Sequence, residues 1–216
     1  FNTPFRAVFT RTIASPKVGA KLTGKRGENT FGFFATQDEV TNLLFPGAFE
    51  SDTETLEQSN TSFVGRYSRG FGNTSSIGGL VTARDGNGYH NDLASIDGRW
   101  KINDQHTLSA QHLESETQYP IDVAIEFEQP QEIFDGSATV VRYECESRNW
   151  CANLRDVRLS DGFRADSGFH ARVGVEKQTA NFGHVWHGVD ESWWYRMRFQ
   201  SQYEVTHLED GTFAGK

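Results

Sequence analysis

Read as alternating apolar and polar positions, the chain is a succession of strands. The clearest stretch is residues 193–205. Trp193, Tyr195, Met197, Phe199, Ser201, Tyr203 and Val205 share one parity; Trp194, Arg196, Arg198, Gln200, Gln202 and Glu204 share the other. Successive strand side chains point to opposite faces, so this segment predicts a strand with one apolar and one polar face. Residues 93–102 repeat the design, with Ala94, Ile96, Gly98, Trp100 and Ile102 opposed to Ser95, Asp97, Arg99 and Lys101. Shorter versions occur at 140–145 and 172–175, and residues 30–36 and 62–67 are strand-like through their Phe, Val and Tyr content. Helical periodicity is almost absent. The pattern predicts roughly eleven or twelve strands, the first over residues 5–13 and the second over 17–25.

The connections add a second regularity. Short turns are expected at 26–29, 70–73, 103–105, 147–149, 180–183 and 209–211. Longer ones fall between them at 38–58, 85–91, 118–135, 160–167 and 187–192. A Greek-key sandwich has no reason to alternate short and long connections, whereas an up-and-down barrel in an outer membrane has short periplasmic turns and long external loops. Lipid satisfies no backbone hydrogen bonds, so a spanning sheet must close. The expected fold is therefore an all-β, antiparallel up-and-down transmembrane β-barrel, or a part of one. Short turns on the periplasmic side would place the N-terminus there too.

Composition changes this picture little. The 216 residues carry a formal net charge of −8, 36% hydrophobic and 13% aromatic residues, and a mean hydropathy of −0.60. No apolar run approaches the roughly 18 residues of a membrane helix, and the aromatic content argues against disorder. The acidic balance disfavours a nucleic-acid partner. Strands that face lipid at alternate positions reconcile a modest hydrophobic share with membrane residence. Trp100, Trp150, Trp186, Trp193, Phe33, Phe71 and Tyr67, near predicted strand ends, suit interfacial girdles. Met197 is the only methionine, and residues 207–216 read as a turn opening a further strand. The expectation is one β-barrel domain over residues 1–216, a fragment of a longer barrel.

Candidate chemistry is sparse. Asp97, Arg99, Lys101, Arg196, Arg198, Gln200 and Glu204 are expected to face the lumen, where mixed signs would give weak ion selectivity. If 147–149 is a tight turn, Cys145 and Cys151 face each other and either form a disulfide or remain two thiols. His112, Glu114 and Glu116 share a strand face, but a spacing near 6.8 Å is long for joint chelation, so a solvated lumen face is the simpler reading. His184 and His187 fall on opposite faces of a strand. The acidic residues 50–57 read as a solvated loop, and residues 84–88 as turn chemistry rather than a calcium loop. Asp122, Glu126, Glu128, Asp156, Asp161 and Asp166 offer carboxylates for glycosidase-type chemistry, but nothing selects a pair. No nucleophile elbow, zinc-protease motif, phosphate loop or dinucleotide fingerprint is present, so no catalytic residue, metal ligand or cofactor is expected.

The stretch PKVGAKLTGKRGENTFGFFA (residues 16–35) resembles the opening barrel strands of a group of large bacterial proteins that place a carbohydrate-binding family 9-like module ahead of a C-terminal outer-membrane barrel. DGFRADSGFHARVG (161–174) is similar to a second block of that group, and 64–84 and 92–100 follow it more loosely. The resemblance implies an outer-membrane location, lipid as partner and a link to polysaccharide through a module absent here. It carries over no catalytic residue.

The leading expectation is an outer-membrane barrel acting as channel, transporter component or anchor. The alternative is a soluble all-β carbohydrate-active hydrolase or binding module, with Trp193 and Trp194 stacking on sugars. A surface adhesion protein acting through its long loops is a third option.

Overall fold

The structure, a computed structural model, describes residues 3–9, 12–72, 74–189 and 192–215. It is all-β. Ten long strands form an antiparallel meander: β1 (Pro16–Arg26), β2 (Asn29–Asp38), β5 (Asn60–Phe71), β6 (Ser75–Gly86), β7 (Tyr89–Lys101), β8 (His106–Gln118), β9 (Phe134–Glu146), β10 (Trp150–Leu159), β11 (Val175–His187) and β12 (Arg196–Leu208). A short β13 (Phe213–Gly215) touches the end of β12. The hairpin of β3 (Thr41–Pro46) and β4 (Ser51–Leu56) is inserted between β2 and β5, and helix α1 (Ile121–Glu126) between β8 and β9.

The two faces differ in kind. Val64, Leu80, Leu93, Leu113, Val140, Val157 and Val175 point inward and form one core with Phe5, Ala7, Phe163 and Val173. In a flat sheet β1 and β12 would lie about 43 Å apart at the usual strand spacing. Residues 3–6 nevertheless line cavities against β1–β6 on one side and β9–β12 on the other. The sheet is therefore curled around the N-terminal segment, whose Phe5 N–H donates to Gln111 Oε1 in mid-β8 (2.8 Å).

The curl does not close. Among the described residues β1 pairs only with β2, and β12 only with β11 and the short β13. The predicted first strand over 5–13 is not formed among its described residues; residues 10 and 11 lie outside them. Phe5 and Ala7 join the interior core instead, so no first strand is there to set the side of the N-terminus.

The connections correct two further expectations. Residues 180–183 are no turn: β11 runs straight through them. Gly183 is there because a Cβ would lie 2.5 Å from Cys151 Sγ. Residues 85–91 are no long loop either, since Asn87 and Gly88, with φ +68° at the glycine, join β6 to β7 in two residues. At one end of the sheet the β1–β2, β5–β6, β7–β8 and β9–β10 turns are short. The other end carries the β3–β4 hairpin, α1 and the 160–174 loop.

That second end is capped by its own core of Leu43, Phe45, Tyr89, Tyr119, Val123 and Ala124. The 160–174 loop is pinned beneath it. Asp166 accepts from the hydroxyls of Tyr89 (2.8 Å) and Tyr119 (3.3 Å), and its carbonyl accepts from Arg84 Nη1 (2.8 Å). Asn91 accepts from the Asp166 N–H (3.1 Å) and donates to the Arg164 carbonyl (3.3 Å). A Cβ on Gly136 would lie 2.1 Å from the Phe163 nitrogen, so only glycine lets this loop reach the sheet.

Candidate functional site: the inner face

Register assigns each strand residue to a face, because directly opposed residues share one. Asp97, Arg99, Lys101, Arg196, Arg198, Gln200 and Glu204 all share parity or register with buried core positions such as Leu93 and Val175. They do not form one site. Gln200 and Glu204 line a cavity of about 980 Å³ between the N-terminal segment and β9–β12, together with Arg142, Glu144, Arg155 and Lys177. Glu204 pairs with Lys177 Nζ (2.6 Å) and Glu144 with Arg142 Nη2 (2.8 Å). Lys101 pairs with Asp104 in the adjoining turn (3.1 Å).

Asp97 does something else. It is 7% exposed and holds the 9%-exposed Arg66 guanidinium in a bidentate ion pair, with Arg66 Nη2 2.8 Å from Asp97 Oδ2. Gly78 makes room: a Cβ there would lie 2.8 Å from both Arg66 Nη2 and the Tyr67 carbonyl. Gly78 thus reflects close packing around a buried charge.

Sequence reasoning passed over Arg66, Arg142, Arg155, Lys177, Lys21 and Lys25. The signal was available in residues 16–25, where Lys21 and Lys25 oppose the parity of Val18, Ala20 and Leu22. Lys21 and Lys25 line a second cavity, about 1040 Å³, with Thr3, Arg6, Phe34 and Val64.

Other candidates resolve differently from expectation. Cys145 and Cys151 are free thiols on opposite faces. A three-residue turn would have set them opposite each other. Instead the Ser147 N–H donates to the Trp150 carbonyl (2.8 Å), leaving a two-residue turn that pairs Cys145 with Ala152 and Cys151 with Glu146. His112, Glu114 and Glu116 lie on the outer face, in register with Ile96, Ala94 and Asp92, so the lumen reading fails for them. His184 and His187 do occupy opposite faces, His184 packing between Trp150 and Trp186. Of the carboxylate pool, Asp166 is a buried fastener; burial raises its pKa, partly offset by Arg84, Tyr89, Arg164 and Tyr119. Burial lowers the His170 pKa, the Arg6 carbonyl it bonds offsets part of this, and the Arg155 charge adds to the lowering. Among the described residues no group of three His, Cys, Asp or Glu is placed to hold a metal ion.

The outer face is apolar in a band. Leu22, Phe33, Tyr67, Val81, Ile96, Trp100, Leu154, Phe182, Phe199 and Tyr203 all stand exposed. Among the described residues no second sheet covers them. Comparison with protein-family models, curated proteins and solved structures found no match.

Proposed function

We propose that the chain is a membrane-embedded β-barrel domain, or part of one, residing in a bacterial outer membrane as a channel, transporter component or anchor. The carrying observation is the course of the apolar band. The row through Ala20 on β1 runs across the register to Ala35, Phe63 and Ala83, then becomes Asp92, Glu116 and Asp135. The row through Tyr203 on β12 runs back through Ala180, Leu154, Tyr143, Leu108 and Trp100. On β7 these rows sit at Asp92 and Trp100, so the band descends eight residues over the nine strand steps from β1 to β12. A descent near one residue per strand, at a 3.4 Å rise and 4.8 Å spacing, means strands inclined by about 35° to the normal of the band. That is the tilt of strands in a membrane barrel, where the apolar band must stay level with the lipid. A soluble sheet has no level to keep, and its apolar face is covered by a second layer.

Four short turns and the longer β11–β12 connection lie below the band and the capped end above it, which suits a periplasmic and an external side respectively. The polysaccharide link implied by the family resemblance remains a proposal about the wider protein. The soluble carbohydrate-active alternative would need a covered apolar face, and Trp193 and Tyr195 are 93% and 88% exposed.

The test is reconstitution. Trp100, Trp150, Trp186 and Trp193 should be quenched by brominated lipid in vesicles, and the folded chain should need detergent to stay monodisperse. A detergent-free, monodisperse monomer would overturn the reading.

A further inference from the structure

The protein is acidic overall, with a formal net charge of −8. Its charges are not evenly shared between faces. At the inward positions of the ten long strands, as register defines them, stand eleven Lys and Arg against five Asp and Glu. At the outward positions the balance reverses, three against seven. Three of the inner acids, Asp97, Glu144 and Glu204, are already engaged with Arg66, Arg142 and Lys177. Lys21, Lys25, Arg99, Arg155, Arg196 and Arg198 form no ion pair among the described residues.

One of these surplus cations is set where a like charge stands beside it. Arg155 lies directly opposite Arg142 on the neighbouring strand, an arrangement that costs stability unless an anion sits between or near them. Among the described residues no carboxylate lines the cavity of Lys21, Lys25 and Arg6, and its floor is Phe34, Val64 and Leu80. Glu144, Glu146 and Glu204 do line the Arg155 cavity, but two of the three are committed to Arg142 and Lys177. The mixed-sign lumen expected from β7 and β12 alone is therefore a net-positive surface once every strand is counted.

We infer that the inner face is a binding surface for anionic solutes bearing phosphate, sulfate or carboxylate groups, centred on the two cavities that flank residues 3–6. This deepens the barrel reading and rests on it for physiological access, although the binding itself needs only the folded inner face. Cationic walls of low dielectric concentrate anions and repel cations, so a conducting form would favour anions. Arginine and lysine share the work by geometry: Arg155 offers a planar fork for an oxyanion, and Lys21 and Lys25 offer point charges beside an apolar floor.

The experiment uses the full chain folded in uncharged detergent micelles, with inorganic tripolyphosphate as probe and calorimetry as readout. Saturable binding is expected, weakening steeply between roughly 50 and 300 mM salt. The variant Lys21→Gln/Lys25→Gln/Arg155→Gln should lose about tenfold or more in affinity, a difference of about 1.4 kcal/mol. The outward control Arg69→Gln/Arg158→Gln should retain wild-type affinity, and far-UV circular dichroism should show both variants folded. Absent binding by the folded wild type, or equal loss in the outward control, overturns the inference. In planar bilayers under a potassium chloride gradient the reversal potential should have the anion-selective sign. Cation-selective conductance overturns the inference while leaving the channel standing; inner-face binding without conductance overturns the channel and leaves the inference standing.

Discussion

Replacing Asp97 by alanine should be the most damaging single charge deletion in the sheet. Arg66 is 9% exposed and its bidentate partner 7% exposed, so the pair lies out of water. Removal of one partner from a buried ion pair leaves an uncompensated charge and costs about 3–5 kcal/mol. Nothing near Arg66 takes over: Gly78 offers no side chain, and the inward neighbour in register is Leu80. Removing both charges tells a different story. Arg66→Met with Asp97→Leu keeps comparable volume without a buried ion, and such exchanges lie within about 1 kcal/mol of the parent or stabilise it. The surface pair Lys101–Asp104 is the internal standard, because Asp104 is fully exposed and such pairs contribute about 0–1 kcal/mol. Chemical unfolding in detergent micelles, followed by tryptophan fluorescence and circular dichroism, measures all of these. If Asp97→Ala costs no more than disrupting the Lys101 pair, or if the double replacement is as damaging as the single one, the account of the buried charge is wrong.

Gly78→Ala should destabilise by about 1–3 kcal/mol through overpacking against Arg66, and the loss should shrink in the Arg66→Met background. Phe199→Arg, on the outer band, should cost about 2–4 kcal/mol in lipid, whereas Gln200→Arg one residue on should be near neutral; equal effects would refute the assignment of faces. Asp166 has a raised native pKa, so the native state binds its proton more tightly than the unfolded chain does. Its contribution is full below the ordinary carboxylate value near 4 and is lost as pH rises through the raised native pKa. Asp166→Asn should remove that slice of the stability–pH curve, read from unfolding midpoints between about pH 4 and 7. Cys145 and Cys151 should both react with a thiol reagent in the unfolded protein without prior reduction, since opposite faces keep them from bridging.

The alternation at 93–102 and 193–205 was enough to separate the faces of β7 and β12, because strand parity is a local property of the chain. It put Asp97, Arg99, Lys101, Arg196, Arg198, Gln200 and Glu204 on the polar side of their strands. Parity along one strand says nothing about its neighbours. Gly183 and the Asn87–Gly88 step were misread, one as a turn and one as part of a loop, because glycine serves both a turn and a close approach. The cysteine pairing turned on a single residue of turn length, and a one-residue change in register sends every side chain to the other face.

The sequence by itself determined an all-β chain with amphipathic strands. Only the tertiary structure decided that residues 3–9 and 160–174 fill the interior instead of adding a strand, since that choice depends on Phe5 and Phe163 meeting partners over a hundred residues away. It likewise decided that eleven of the fourteen register-paired Lys and Arg on the ten long strands stand on the inner face, while seven of their twelve Asp and Glu stand on the outer. Charge on a face is a sum over strands brought together by pairing, and no window of sequence contains that sum.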